Sequence, residues 1–170
     1  MTNDPLLDTL NRGDRDGFVG RLGALYEHSP WIAEAAWPRR PFADRPALHA
    51  AMQSIVLDAG ESRQLALIRA HPDLAGKLAR AGILEAHSTG EQQGLGLDRL
   101  SDAQYEQFDR LNTAYRVRFG FPFIIAVRAQ TRDSVLAAFG QRLANDPDVE
   151  RATALAEIGR IAWFRLQDLA

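Results

Sequence analysis

The chain has 170 residues, enough for one domain with a substantial core, and its 46% hydrophobic and 25% charged residues are the balance of an ordinary globular protein. Lys and Arg number 20 against 22 Asp and Glu, a net charge of −2, so no single-sign field gathers phosphates and nucleic acid is excluded as the main partner. With no cysteine, thiol nucleophiles, disulfides and thiolate metal sites are excluded as well.

Other exclusions come from patterning. No apolar run is long enough to span a bilayer, which takes about 20 residues. Met1-Thr2-Asn3-Asp4 lacks a basic, apolar signal segment, and Gln167-Asp168-Leu169-Ala170 is not a peroxisomal address. A cytoplasmic protein with no membrane partner is expected.

In chain order, Asp4-Pro5 offers an N-cap with proline at the first helical position, followed by a stripe of Leu6, Leu7 and Leu10 that Gly13 ends. Asp14 caps a predicted second helix with Phe18, Leu22, Leu25 and Tyr26 at helical spacing. Ser29-Pro30 opens a short segment carrying Trp31, Ile32 and Trp37, where tryptophans point to core or interface. Arg39-Arg40-Pro41 reads as a loop whose arginines, beside a cleft, are suited to an anion. Asp44-Arg45-Pro46 opens a helix buried through Leu48, Met52, Ile55 and Val56, with Gly60 at its C-cap.

The next helix runs from about Glu61 toward His71, which stands directly before Pro72. Proline drives its preceding residue out of the α region, so the helix is predicted to stop there, with another from about Pro72 to Gly82. His71 is thus expected at a helix-helix corner, its side chain available to a cleft. A helix cap or a buried, hydrogen-bonded histidine is the competing reading. Residues from Gly82 to His87 read as loop. Ser88-Thr89-Gly90-Glu91 has the form of a capping box, which gives Glu91 a purely structural reading too.

Ser101-Asp102-Ala103-Gln104 opens a long helix whose predicted face is Tyr105, Phe108, Leu111, Tyr115 and Phe119. Gly120-Phe121-Pro122 must break it. Phe123-Ile124-Ile125-Ala126-Val127 suits a strand, but no second strand-like stretch exists to pair with it. An extended segment wrapped by helices is expected, with backbone groups free for a ligand. Thr131 starts a helix with Val135, Leu136, Phe139 and Leu143 inward; Asn145-Asp146-Pro147 breaks it. The last helix carries Leu155, Ile158, Ile161, Ala162 and Leu166. The predicted class is all-α: a single-domain bundle over residues 1–170, of about eight helices by periodicity, with one extended Gly-Phe-Pro-Phe-Ile segment.

Three stretches carry a resemblance. His71-Pro72-Asp73-Leu74-Ala75-Gly76, then Ser88-x-x-Glu91-Gln92, then Leu111-Asn112-x-x-Tyr115 with Phe119-Gly120-Phe121-Pro122-Phe123-Ile124 follow in an order that resembles the OHCU decarboxylases. These are the 2-oxo-4-hydroxy-4-carboxy-5-ureidoimidazoline decarboxylases of the urate-to-allantoin pathway. The resemblance runs from about the first helix to Arg165-Leu166 and implies a carboxy-lyase making S-allantoin and CO2. It implies His71 as catalytic acid/base and Glu91 as the carboxylate that orients substrate or handles the proton. Pro72, Ser88, Gln92, the backbone of Phe123, Ile124 and Ile125, and Arg165 are implied to line the substrate site, with Arg160 and Arg128 as lesser candidates. The substrate's own C=N accepts the electrons of the lost carboxylate, so neither metal nor cofactor is expected. The family is often dimeric, so a homodimer is expected. Departures from the family pattern at His87, Ala129 and Gly140 concern local loop geometry. Two readings from other classes stand beside this one: a helical module that binds a ureide without turnover, and a helical interaction protein that uses the Phe-Pro-Phe segment as its interface.

Overall fold

The computed structural model describes residues 4–76, 91, 94–97, 99–128 and 130–170. Among them the regular elements are helices: α1 (Pro5–Arg12), α2 (Arg15–Leu22), α3 (Trp31–Ala36) leading into a 3₁₀ turn (Trp37–Arg39), α4 (Arg45–Asp58), α5 (Glu61–Ala70), α6 (Asp102–Phe119), α7 (Arg132–Arg142) and α8 (Pro147–Asp168). This is the all-α class that the periodicity predicts. No helix among the described residues is long and apolar enough to cross a membrane.

The helices begin where a side chain can satisfy their first amides. Asp4 accepts from the N–H groups of Leu6 and Leu7 at 3.1 and 3.3 Å, Asp14 from Gly17 at 2.8 Å, and Asp44 from Ala47 at 2.7 Å. Reciprocal capping boxes open α6 (Ser101 and Gln104) and α7 (Thr131 and Ser134). α6 ends on Gly120 with φ 73°, a left-handed conformation that costs little only without a Cβ.

The chain folds as two compact units, Met1–Leu67 with Gly159–Ala170, and Ile68–Ile158. In the first unit α3 packs on α4 and on α2. Leu10, Phe18, Leu22, Tyr26, Ile32, Leu48, Met52 and Leu166 are buried there. α2 stops at Leu22, short of the predicted Tyr26. Gly20 and Gly23 weaken the helix, and the Leu25 carbonyl accepts from Arg165 at 3.2 Å. Leu25 and Tyr26 still reach the core, from a turn. The arginine pair does not form an open anion cradle. Arg40 donates to the carbonyls of Asn11 and Gly13 at 3.0 and 3.1 Å, closing the end of α1, and Arg39 donates to Ser54 Oγ at 2.8 Å. Arg45 bonds Asp4 at 2.5 Å and the carbonyls of Leu166 and Leu169 at 2.7 and 2.9 Å, tying the α1 cap to the end of α8.

The second unit is built on aromatic packing. Phe123 stacks on Phe139 at 3.7 Å between centroids, and Tyr115 lies edge-on to Phe123 at 5.4 Å. α6 buries Phe108, Asn112 and Tyr115, while Tyr105, Leu111 and Phe119 are half-buried, so its inner face is turned toward Asn112 relative to the prediction. The reason is polar: Asn112 Nδ2 donates to the Leu74 carbonyl at 2.8 Å. No helix starts at Pro72. Residues Pro72–Gly76 form an irregular turn with Ala75 at φ 52°, anchored by that bond and by an Asp73–Arg116 ion pair at 2.9 Å. The remainder of that predicted helix, the 82–87 loop and the Ser88 capping box lie outside the described residues. Phe121–Val127 is buried without strand pairing, as the missing partner strand implies.

Candidate active site

His71 follows the last residue of α5, and its amide bonds the Ile68 carbonyl at 3.2 Å. It is only 5% exposed, as the reading of a buried histidine has it, and the chain beyond it is an irregular turn and not the second helix of the expected corner. The turn is gripped on both sides. Two residues before it, Arg69 Nε donates to the Gly120 carbonyl at 3.1 Å. Two residues after it, Asp73 accepts from Arg116 at 2.9 Å, and Asn112 holds Leu74. α6 and its glycine cap therefore fix the backbone through His71. Asn112 is buried, and its Oδ1 has no hydrogen-bond partner among the described residues.

Pro72 is half-buried beside the histidine, and Glu91 is half-buried in a helical conformation. Ser88 and Gln92 lie outside the described residues. Phe123, Ile124 and Ile125 are 1%, 3% and 8% exposed. From Pro122 to Val127 the chain has no helix, turn or bend. Ile124 C=O accepts from Arg142 Nη1 at 2.5 Å, and the Ala126 N–H donates to Glu157 Oε2 at 2.8 Å. Among the described residues no hydrogen bond is made by the amides of Phe123, Ile124 or Ile125. Buried amides are nearly always paired, so this marks the segment out.

Arg142 is set by Glu150, a fully buried carboxylate that accepts from Arg142 Nε at 2.6 Å, from Asn145 Nδ2 at 3.0 Å and from the Tyr115 hydroxyl. Burial first, and then the bond to Glu150, push the Tyr115 pKa up from its ordinary value, so the hydroxyl stays a donor.

His71, Pro72, Glu91 and the Phe123–Ile125 strip belong to the second unit; Arg165 belongs to the first. Arg165 is not a solvated surface arginine. It is 3% exposed and bonds Glu27 Oε1 at 2.9 Å, with Glu27 itself 1% exposed. Arg160 and Arg128 are exposed.

The sequence gives no role to Glu27, Arg142, Glu150 or Glu157, and names Asn112 only as part of a motif. Asn112 had a signal, since it lies four residues after Phe108 and three before Tyr115, on their helical face. Glu27 had none, because its partner is 138 residues away.

Among the described residues, the second unit thus holds a buried histidine in a braced turn and a buried strip with unpaired amides. Comparison with known proteins supplies the family. A family model described as OHCU decarboxylase matches residues 11–167, and the chain belongs to that family. It is 45% identical over 162 residues to the 2-oxo-4-hydroxy-4-carboxy-5-ureidoimidazoline decarboxylase of Haloferax volcanii, covering 95% of this chain and 94% of that one. Against the decarboxylase of the same name from Amia calva it is 38% identical, covering 94% of this chain and 91% of the relative. The crystal structure of (S)-allantoin synthase superposes with a TM-score of 0.73 at 35% identity, over 95% of this chain and 52% of that one. A crystal structure of OHCU decarboxylase in the presence of (S)-allantoin shares the fold, with a TM-score of 0.65 at 21% identity, over 91% of this chain and 96% of that one.

Proposed function

We propose that the chain, acting as one decarboxylase domain, converts 2-oxo-4-hydroxy-4-carboxy-5-ureidoimidazoline to S-allantoin and CO2 in urate degradation. It needs no metal or cofactor. The bond to the carboxylate breaks, and its electron pair forms a carbon–carbon double bond as the ring C=N electrons move to nitrogen. That nitrogen takes one proton. The ureido-bearing carbon then takes another from one face while the hydroxyl loses its proton and becomes the carbonyl.

His71 is the acid/base. Imidazole titrates near neutral pH, so one group serves both to engage the hydroxyl and to return a proton. Glu91 orients the imidazole or the substrate. Pro72, Ser88, Gln92 and the strip Phe123–Ile125 contact the ring and ureido group, and Arg165 meets a carboxylate or amide edge through paired donors. The enzyme works as a homodimer in the cytoplasm, following the resemblance to a family that is often dimeric.

The observation that carries this reading is the burial of His71 in a turn braced from both sides, in a chain of this family. A general acid needs such placement, because a misplaced proton donor forfeits most of its advantage. The test is CO2 release from substrate freshly generated from urate. Wild type is expected to exceed the spontaneous rate, and His71→Ala to fall by about 10²–10⁴-fold, the range of a lost acid/base. Equal rates in the two proteins would remove His71 from the chemistry.

A further inference from the structure

The strip Pro122–Val127 has no helix, turn or bend, and in an extended chain the backbone groups of successive residues point to alternate sides. Ile124 C=O and Ala126 N–H therefore lie on one edge, and Arg142 and Glu157 bind that same edge at 2.5 and 2.8 Å. Phe123 and Ile125 present their N–H and C=O groups on the other edge, where among the described residues nothing bonds their amides; the Ile124 N–H, on the clamped edge, is unpaired as well. Buried amides left without partners favour a local rearrangement that would satisfy them. The two side chains oppose it. Arg142 is itself immobilised by Glu150 and lies 4.3 Å from the centroid of the Phe123 ring. Glu157 projects from the middle of α8, a rigid support.

We infer that Arg142 and Glu157 are positioning residues of the reaction: they clamp one edge of the strip so that the Phe123 and Ile125 amide groups on the opposite edge stay aligned for the substrate's ureido group. This rests on the decarboxylase reading above. An N–H and C=O edge matches a ureido –NH–CO–NH2 in the way one strand matches another. Donors held in place before the ligand arrives need no reorganisation on binding.

Glu157 is the better handle, because it is half-buried whereas Arg142 lies within the buried Glu150 network. Glu157→Ala is expected to raise KM for the substrate and Kd for (S)-allantoin about tenfold, as for one lost charge-assisted bond, with kcat within about threefold. Glu157→Gln keeps a side-chain oxygen to accept from Ala126 and is expected to restore both constants. In ¹⁵N–¹H spectra, (S)-allantoin is expected to shift the Phe123 and Ile125 amides in wild type and in Glu157→Gln, and less in Glu157→Ala at the same concentration. A folded Glu157→Ala protein with wild-type KM and Kd would overturn the clamp. So would Phe123 and Ile125 amides that do not move in wild type at high allantoin. A wild type that binds allantoin but releases no CO2 above the spontaneous rate would instead remove the decarboxylase reading, while Kd and the amide shifts still report on the clamp.

Discussion

Glu27 and Arg165 each carry a charge into the core of the first unit, at 1% and 3% exposure. Neither is tolerable there without the other, since a desolvated charge is compensated only by a close partner. Glu27→Gln is expected to cost about 3–5 kcal/mol in urea unfolding, the usual effect of stranding a buried charge. Adding Arg165→Met should recover much of that loss, because no uncompensated cation then remains. A single-substitution cost under about 1 kcal/mol would show that the pair is not the desolvated unit described here. At this scale the sequence was legible where chain chemistry is local. Pro72 marks where α5 must end and so exposes His71 as special. Glu150 reads as an ordinary acidic residue in the first turn of α8, and only folding brings it to Arg142 and Tyr115.

The caps were the most legible feature of the elements, because an Asp, Ser or Thr three residues before a free amide is a local pattern. α2 ends before the helical spacing of Leu25 and Tyr26 predicts, because Gly20 and Gly23 weaken the helix while both side chains still reach the core from outside it. The α1 cap also carries a pH dependence. The Arg45 guanidinium bonded to Asp4 holds that carboxyl below its ordinary 3.8, with the Leu7 and Leu6 amides adding to the effect against the opposing influence of burial. A folded-state pKa below the unfolded value gives stability that is fully present above the unfolded pKa and is lost as pH falls through the folded one. Asp4→Asn, which keeps a cap acceptor but loses the charge, is therefore expected to unfold at a lower temperature than wild type at pH 7. The gap should close below pH 3.8, as the wild-type carboxyl takes up its proton. A gap that stays constant down to strongly acid pH would assign the cap's contribution to hydrogen bonding alone.

For the whole molecule, the absence of a second strand-like stretch was enough to give an all-helical chain with one extended segment. The division into two units left no trace in the sequence. The chain passes between them inside α5 and inside α8, so there is no Pro-, Gly- or Ser-rich linker to find. Motif order singles out His71, the strip and Arg165 as candidates, while the side chains that bond the strip and Arg165 act across long sequence separations and leave no local pattern. The function proposed for this chain is decarboxylation of a ureidoimidazoline with delivery of the proton to one face. The most direct measurement is circular dichroism of the allantoin formed when urate is fed through the two preceding reactions in the presence of this protein. Rapid growth of the S-allantoin signal, abolished in His71→Ala, is the predicted result. Racemic allantoin accumulating at the spontaneous rate with wild type would contradict it.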